Sequence, residues 1–520
     1  MPNPFTFLRK PPCVIALGLA FSFTILFWLM PKVALVLTAG MAFLTLLLVG
    51  SRLICTFMRN QIPEQIAPGE EFVSIHIATY SEPPQVVKET LDSLTNLAHP
   101  NYEVIVLDNN TPDPEMYEPV KEHCRKLGPK FRFYHFDGVR GAKAGALNIS
   151  LNLSDPRTDV ILILDADYQA LPDILNKGLS YFTDSSVALV QFPQAYRNSR
   201  PNCGLSWEYK LFFDLYMKLA NRWNTVLSTG TAAFVQKDAL VASGGWSGET
   251  LTEDAELGLR LHKHDYRAVY VPEVVAAGLM PTDLKSLRAQ RRRWVLGNAQ
   301  SLLALWKLPE VSLVRRTMMT LQLTAWANPL LFPTVTLLVS GSFYLAVGSP
   351  PALAITILSF ATIGLYLVGS LLLFARVVQR EGGSLKSALL AFGVHLGMLW
   401  EGAVSWCELF VQSDKSFVRT NKFIRATESW SLSLSLILAL LFGGFSLQLA
   451  LSGTALPLAL ALGMGSLWCF GTSVLRWSVH RVRARTLRMG KRKQVGIPAI
   501  ESMGYPEPIP RELSLHSQVG

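Results

Sequence analysis

The sequence predicts an α/β domain with a mostly parallel sheet, inserted between transmembrane α-helices. Short apolar runs alternate with helical stretches between residues 70 and 316, a pattern typical of a nucleotide-binding sheet. Long apolar runs occur on both sides of that region, and 50% of the 520 residues are hydrophobic. The candidate strands are residues 73–78, 103–107, 131–136, 160–164 and 187–192.

Composition is that of a membrane protein. The mean hydropathy is +0.28 and the formal net charge is +10, with much of the basic excess beside apolar runs. That distribution follows the positive-inside rule, so we attribute the charge to membrane topology and expect no nucleic-acid partner. The 6 cysteines are scattered without Cys-x-x-Cys spacing, which argues against a disulfide framework or a zinc site.

Residues 1–60 are predicted to form a transmembrane hairpin. Runs 13–30 and 33–53 are each about long enough to cross a bilayer, and basic residues flank both outer ends. No small-residue cleavage pattern follows the first run, which favours a membrane anchor over a cleaved signal peptide.

Residues 317–480 are predicted to form a second transmembrane region that gives six spans in all, with both termini cytoplasmic. A further run, residues 388–411, would lie flat at the interface, because every basic cluster then stays on the cytoplasmic side. The basic tail, residues 481–520, is expected to be disordered. The four spans of this region are residues 321–347, 353–374, 432–451 and 456–475. The ionisable residues of the interfacial run are His395, Glu401 and Glu408.

The fourth candidate strand ends in Asp165-Ala-Asp167, and the chemistry is expected to centre there. Ligands of open α/β sheets bind beyond the carboxyl ends of the strands. Two carboxylates flanking one residue at such an end can hold a divalent cation, Mg²⁺ or Mn²⁺, which suits a nucleotide diphosphate. A turn capped by an aspartate would show the same pair.

Polar residues also follow the first two strands. Thr79, Tyr80 and Glu82 end the first strand, and Asp108 ends the second. At these ends a base and a ribose would be bound, although each stretch alone is more typical of a turn.

A glycine-containing stretch, Gly141-Ala-Lys143-Ala-Gly145, precedes a predicted helix. Small side chains let backbone amides approach a diphosphate, and Lys143 would add a positive charge. An ordinary helix start is the alternative.

Thr252-Glu253-Asp254 opens an amphipathic helix over residues 255–264. In one interpretation Thr252 caps the helix and the two acids complement its dipole. In the other, Asp254 is a general base that removes a proton from an acceptor hydroxyl at the cleft rim.

The run Gln290-Arg-Arg-Arg293-Trp294 places Gln290, Arg293 and Trp294 on one helix face. Arg293 could bind a pyrophosphate with two hydrogen bonds, and the indole of Trp294 could stack on a sugar ring. Arg291 and Arg292 are interpreted as a basic patch on anionic lipid.

In this order the motifs resemble those of the processive, membrane-embedded family 2 glycosyltransferases, the group of cellulose synthase, curdlan synthase and hyaluronan synthase. The family's D, DxD, TED and Q(Q/R)xRW elements are matched by Asp108, Asp165-Ala-Asp167, Thr252-Glu253-Asp254 and Gln290-Arg-Arg-Arg293-Trp294. Ser228-Thr-Gly230-Thr231 resembles the acceptor-site turn, with Thr229 replacing the usual cysteine. Residues 417–422 resemble the gating loop of cellulose synthase, part of the region 384–425, with Arg419 replacing valine.

The resemblance implies a GT-A-type fold and an inverting, processive transfer from a UDP-sugar, first of all UDP-glucose, to a growing β-glucan. The polymer would leave through a channel of the chain's own transmembrane helices. The catalytic domain would face the cytoplasm at the plasma (inner) membrane, and accessory export proteins are compatible partners.

The resemblance also implies a role for each motif residue. Thr252, Glu253 and Asp254 would be catalytic, and Asp165 and Asp167 would bind the metal. The acceptor would contact Trp294, Gly230 and Thr231. The donor-binding residues would be Thr79, Tyr80, Glu82, Asp108, Lys143, Asp165, Gln290, Arg293, Thr420 and Lys422.

Two alternatives keep this chemistry and change the product. One is a membrane glycolipid glycosyltransferase that adds one or a few sugars to a lipid, and the other is a synthase of another polymer, such as one containing N-acetylglucosamine. The gating-loop resemblance and the six predicted spans favour a polymer. A transporter with a nucleotide-binding domain is disfavoured because the Walker Lys-Ser/Thr pair is missing. No PilZ-like domain is seen, so regulation of that kind is not implied.

Overall fold

The computed structural model describes residues 11–61, 63–199, 203–410, 432–452 and 456–491. Two sheets form within an α/β domain, with strand orders β3-β2-β1-β4-β8-β6-β9 and β5-β10-β7. The strands are β1 (Phe72–Thr79), β2 (Tyr102–Asn109), β3 (Phe131–Phe136), β4 (Thr158–Ile163), β5 (Gln169–Ala170), β6 (Val187–Gln191), β7 (Ala195–Tyr196), β8 (Ala233–Gln236), β9 (Arg267–Tyr270) and β10 (Ala276–Gly278).

The large sheet is mostly parallel, as predicted. β3, β2, β1 and β4 run parallel, β8 is antiparallel to both β4 and β6, and β6 is parallel to β9. Alternate residues of the β4 run enter opposite cores, with Leu162 and Leu164 on one face and Ile161 and Ile163 on the other. A strand buried on both faces reads as a continuous apolar run, which explains why β4 could be predicted.

Helices cover both faces of the sheet. Two helices precede it, α1 (Pro11–Leu29) and α2 (Pro31–Cys55). The helices of the domain are α3 (Pro84–Ser93), α4 (Pro114–Leu127), α5 (Ala142–Leu153), α6 (Ile174–Leu179), α7 (Gly204–Leu211), α8 (Lys218–Trp223), α9 (Lys237–Ala242), α10 (Glu253–Lys263), α11 (Leu284–Leu305) and α12 (Leu313–Leu323). A π-helical turn, Phe212–Met217, joins α7 to α8.

Apolar helices follow the domain. They are α13 (Leu331–Val347), α14 (Pro350–Arg380), α15 (Leu385–Gly397), α16 (Leu399–Val404), α17 (Leu432–Ser452) and α18 (Leu456–Lys491), with a 3₁₀ turn at Ser405–Phe410. In the described part of the chain, α2 and α14 are long and apolar enough to cross a membrane. The six-span topology therefore stays a prediction.

Three predicted boundaries in this region are wrong. The span 321–347 is interrupted, because α12 ends at Leu323 and α13 begins at Leu331. Pro329 disfavours helical backbone at the residue before it, and the Asn328 amide instead donates to the Gly402 carbonyl at 3.1 Å. The run 388–411 is divided at Met398 into α15, α16 and the 3₁₀ turn. Residues 481–491, predicted to be disordered, continue α18.

Candidate active site

A cavity of about 470 Å³ lies at the carboxyl ends of β1 and β4 and beside α10 and α11. Asp108 and Thr231 lie behind its wall, and Thr420 and Lys422 lie outside the described residues. The predicted site residues that line it are Thr79, Tyr80, Glu82, Lys143, Asp165, Asp167, Gly230, Thr252, Glu253, Asp254, Gln290, Arg293 and Trp294.

Lys143 joins the amino end of α5 to the end of β4. Gly141 caps α5 with a φ of 81°, a left-handed conformation that glycine adopts without strain, so the helix begins at the cavity wall. The Lys143 Nζ donates to Asp165 Oδ1 at 2.6 Å and to the Gly230 carbonyl at 2.7 Å. Burial lowers the pKa of Lys143, but the carboxylates of Asp165, Glu253 and Asp254 outweigh it and raise the pKa. Lys143 is therefore positively charged, and its two hydrogen bonds hold the ammonium group in place.

Asp167 is held by the backbone that follows β10. Its Oδ2 accepts a hydrogen bond from the Leu279 amide at 2.6 Å. The Arg197 guanidinium donates to the Asp167 carbonyl and, at 3.0 Å, to the Ala277 carbonyl. The Asp165 carboxylate is thus oriented by Lys143 on α5, and the Asp167 carboxylate by the backbone that follows β10.

The charged side chains that line the cavity suit the binding of a divalent cation. The described lining residues include five acids, Glu82, Asp165, Asp167, Glu253 and Asp254, and three bases, Lys143, Arg292 and Arg293. Such an excess of negative charge would repel a diphosphate unless a cation balanced it. No cluster of three or more metal-binding side chains occurs in the part of the chain that the structure describes. Asp165 and Asp167 would therefore share the ion with phosphate and water, as is usual for Mg²⁺.

Asp254 lies in the first turn of α10, facing Gly230. Burial, followed by the charge of Glu253, raises the pKa of Asp254 to about 7. Gly230 has a φ of 83°, and a Cβ there would lie 2.7 Å from Asp254 Oδ2. The turn before β8 therefore lies close to the Asp254 carboxylate and leaves no room for a side chain at position 230.

The interpretation of Thr252 as a side-chain cap of α10 is wrong. Its Oγ1 is buried and has no hydrogen-bond partner among the described residues. α10 begins at Glu253, so both acids of the motif lie in its first turn.

Asp108 and Thr231 support the site from behind. Asp108, 3% exposed, accepts hydrogen bonds from Thr79 Oγ1 at 2.8 Å and Thr111 Oγ1 at 2.9 Å, and its Oδ1 lies 2.9 Å from His135 Nδ1. Thr231 Oγ1 accepts from the Asp165 amide at 3.0 Å. The structure therefore places neither residue against the cavity.

α11 presents Gln290, Arg293 and Trp294 to the cavity, as predicted. Asp283 starts this helix by accepting a hydrogen bond from the Ser286 amide at 2.8 Å. Gln290 Oε1 accepts from the Tyr209 hydroxyl at 2.8 Å.

The interpretation of Arg291 and Arg292 as a lipid-binding patch is wrong. Arg291, 2% exposed, donates to both Glu208 carboxylate oxygens at 2.8 and 2.6 Å, and its guanidinium lies 3.8 Å from the Trp326 ring centroid. Arg292 donates to both Glu408 oxygens. The prediction used only the spacing of residues along the helix. It could not show that Glu208 and Glu408, which are distant in sequence, pair with these arginines.

A second cavity of about 70 Å³ adjoins the first and shares Thr229, Asp254 and Trp294 with it. Aromatic rings form much of its wall, and the Trp294 and Trp326 centroids are 5.7 Å apart. Apolar ring faces beside the Asp254 carboxylate can pack against a sugar ring. The aromatic residues of this wall are Tyr209, Phe212, Phe213, Trp294 and Trp326.

Sequence reasoning missed several lining residues. Gln194 and Tyr196 follow β6, so the strand-end rule that selected Thr79 could have found them. Gln194 Nε2 donates to the Thr229 carbonyl at 2.6 Å and Gln194 Oε1 accepts from the Tyr196 hydroxyl at 3.0 Å. Trp326 gave no such signal, because it lay inside a run predicted to be transmembrane.

Two family models match the chain. The one described as glycosyl transferase family 2 covers residues 74–241, and the one described as glycosyl transferase family group 2 covers residues 160–374. The matched region contains most of the sheet and the cavity, so this part of the chain is similar to family 2 glycosyl transferase domains, and the mostly parallel α/β fold predicted for it is confirmed.

Curated relatives match over the same part of the chain. Beta-monoglucosyldiacylglycerol synthase of a Nostoc species is 32% identical over 249 residues, which are 46% of this chain and 51% of that protein. The UDP-forming cellulose synthase catalytic subunit of Xanthomonas axonopodis is 30% identical over 238 residues, 44% of this chain and 31% of that protein. The match thus covers about half the length of the first relative and less of the second.

Among solved structures, a mannosyltransferase from Pyrobaculum calidifontis in complex with GDP-Man and Mn²⁺ is 20% identical, with a TM-score of 0.48. The likeness covers 70% of this chain and 97% of that chain. At this level it carries no argument about ligands.

Proposed function

From the family 2 glycosyltransferase domain in this chain, we propose a transferase that moves a sugar from a UDP-sugar, first of all UDP-glucose, to an acceptor hydroxyl with inversion. The observation that carries the proposal is the position of Asp254. Its partly buried carboxylate faces the cavity that also holds Lys143, Asp165, Asp167 and Arg293. A base and an anion-binding set thus share one cavity, as a single-displacement transfer requires.

Asp254 accepts the proton of the acceptor hydroxyl as that oxygen attacks the anomeric carbon of the donor. The bond from this carbon to the diphosphate oxygen breaks, and UDP leaves with the electron pair. Because attack and departure occur on opposite faces, an α-linked donor gives a β-linked product. A pKa of about 7 suits a base that works near neutral pH.

Lys143, Arg293 and the amino end of α5 stabilise the negative charge that develops on the departing UDP. Asp165 and Asp167 would hold Mg²⁺ or Mn²⁺, which supplies further positive charge to the diphosphate when bound. Thr231 and Asp108 keep the ends of β4 and β2 in place.

The acceptor in this proposal is a growing β-glucan. The aromatic wall beside Asp254 supports a carbohydrate there, with Trp294 stacking on the terminal sugar. Residues 1–60 and 317–480 would form the membrane regions that flank the domain at 70–316 and export the polymer. The domain would lie on the cytoplasmic side of the plasma (inner) membrane.

A membrane glycolipid glycosyltransferase is the second candidate. The similarity to a protein named for glucosyldiacylglycerol synthesis favours it. The same catalytic residues would act, and only the acceptor would differ. A polymer containing N-acetylglucosamine would change the donor instead.

Product size separates these candidates. Purified protein in detergent is incubated with Mg²⁺ or Mn²⁺ and a panel of labelled UDP-sugars, and the product is sized and digested with linkage-specific glucanases. A long, glucanase-sensitive product from UDP-glucose supports the polymer. A short, solvent-extractable product identifies the glycolipid enzyme, and no transfer from any UDP-sugar contradicts the proposal.

A further inference from the structure

The transfer chemistry leaves the ionisable residues of the apolar run 388–411 unused. In the structure each has a partner. His395 Nε2 lies 2.9 Å from the Tyr366 hydroxyl, whereas the two glutamates reach across to α11. Glu401 pairs with Arg288 at 3.2 Å, and Glu408 pairs with Arg292.

Two hydrogen bonds join Arg292 to Glu408, and the two side chains differ in their exposure to solvent. Arg292 Nε donates to Glu408 Oε1 at 2.6 Å, and Nη2 donates to Oε2. The Glu408 side chain is 2% exposed, whereas that of Arg292 is 51% exposed. Because this pair uses one edge of the guanidinium, Nη1 takes no part in it. A buried carboxylate thus fixes one edge of an exposed guanidinium.

Arg292 also lines the large cavity. It is one of three bases there among five acids in the described wall, and it adjoins Arg293 in the chain. A guanidinium held by one edge can offer its other N–H groups to a phosphate at little further cost in side-chain entropy. Its position therefore suits an anion in the cavity better than a lipid headgroup outside it.

We propose that Arg292 is a further donor-binding residue, which contacts the diphosphate, and that Glu408 is its positioning residue. The inference rests on the proposed function, because it takes the ligand to be a nucleoside diphosphate. The position of Arg292 is unspecified in the Q(Q/R)xRW element, so the motif itself assigns no role to Arg292. Through Glu408, donor binding depends on a segment that belongs to the apolar part of the molecule.

The test compares two matched double variants of the full chain. Arg292→Gln/Glu408→Gln replaces both charges at once, so no buried charge is left unpaired. Arg288→Gln/Glu401→Gln removes the other ion pair between α11 and the run 388–411, and neither Arg288 nor Glu401 is among the described residues lining the cavity. Equilibrium binding of UDP and of uridine is measured for each purified protein.

We expect UDP to bind roughly tenfold more weakly to the Arg292/Glu408 variant, the size of one charge-assisted hydrogen bond. Uridine binding is expected to be unchanged in that variant, because uridine lacks the diphosphate. The Arg288/Glu401 variant is expected to bind UDP as the wild type does. Arg292→Lys is expected to recover only part of the UDP affinity, since an ammonium cannot bind Glu408 and phosphate with the same fork.

Unchanged UDP affinity in the Arg292/Glu408 variant overturns the inference. An equal loss in both double variants also overturns it, because the contact would then serve only to dock the two segments. Wild-type protein that binds no nucleoside diphosphate contradicts the proposed function itself. The two failures are therefore distinguishable.

Discussion

At the scale of single residues, the proposed function makes Asp254 the residue that determines when the site can act. Its carboxyl group must be ionised to accept a proton, and the surroundings oppose ionisation. Burial is the larger cause and the charge of Glu253 is the second. With a pKa of about 7, the Asp254 carboxyl group is mostly protonated in acid and mostly ionised above neutral pH, so we expect transfer to require neutral or higher pH.

Glu253→Gln is expected to shift the acidic limb of the pH profile of kcat/KM to lower pH. In the wild type, activity is expected to fall as pH falls through about 7, because Asp254 becomes protonated. Removing the Glu253 charge lowers the pKa of Asp254, but burial keeps it above that of an ordinary aspartate. Glu256→Gln, on the same helix and paired with Arg260, is the control and should leave the limb in place. An unmoved limb in Glu253→Gln contradicts this assignment.

Gly230→Ala is expected to reduce transfer at least 100-fold, because the new Cβ would lie 2.7 Å from Asp254 Oδ2. Gly244→Ala is the matched control. Gly244 has a similar φ of 84°, but the nearest atom to its Cβ would be 3.6 Å away, so it carries the same backbone strain without the collision. Melting temperature and transfer rate are measured for both. Equal losses of activity would show that backbone strain alone is responsible.

At the scale of elements, α11 joins the site to the apolar part of the chain. One face lines the cavity with Gln290, Arg293 and Trp294, while Arg291 reaches Glu208 on α7 and Arg292 reaches the 3₁₀ turn. Because several elements hold this helix, its cavity face is oriented by contacts outside the cavity.

Arg291→Ala is expected to destabilise the fold by about 3–5 kcal/mol, because it leaves the Glu208 carboxylate buried without its partner. The measurement is the free energy of unfolding, or the thermal midpoint in detergent where unfolding is irreversible. Arg291→Met/Glu208→Leu removes both charges and should recover much of the loss. A single variant as stable as the wild type contradicts the importance of this ion pair.

The sequence predicted the elements whose signal is local. The strands from β1 to β4 and β6 are apolar runs bounded by polar residues, and motif order located Asp165, Asp254 and Trp294. β8 spans only Ala233–Gln236, too short for a periodic pattern to stand out. Arg291 could not be interpreted correctly because Glu208 lies 83 positions away in the chain. The burial of Asp108 likewise depends on His135 in the neighbouring strand.

At the scale of the whole molecule, a basic chain surrounds an acidic cavity. The formal net charge is +10, yet acids outnumber bases in the described cavity wall. The attribution of the basic excess to membrane flanks stays a prediction, and we expect that a cation is needed to attract a diphosphate to the acidic site.

Chelation by EDTA is expected to abolish transfer and to weaken UDP binding at least tenfold, because Asp165 and Asp167 would then repel the diphosphate. Adding Mg²⁺ or Mn²⁺ in excess should restore both. Asp167→Asn should resemble the chelated state, whereas Asp173→Asn, on the surface beside Lys177, is the control. Full activity in EDTA contradicts the metal site.

The most direct measurement of the central claim is the anomeric configuration of the product formed from ¹³C-labelled UDP-glucose, followed by NMR for the wild type and for Asp254→Asn. We predict a β-linked product from the wild type. The variant should form it roughly 10²–10⁴ times more slowly with its affinity for UDP retained, because only the base is lost. An α-linked product, or a variant that transfers within a few fold of the wild type, would contradict inverting transfer with Asp254 as the base.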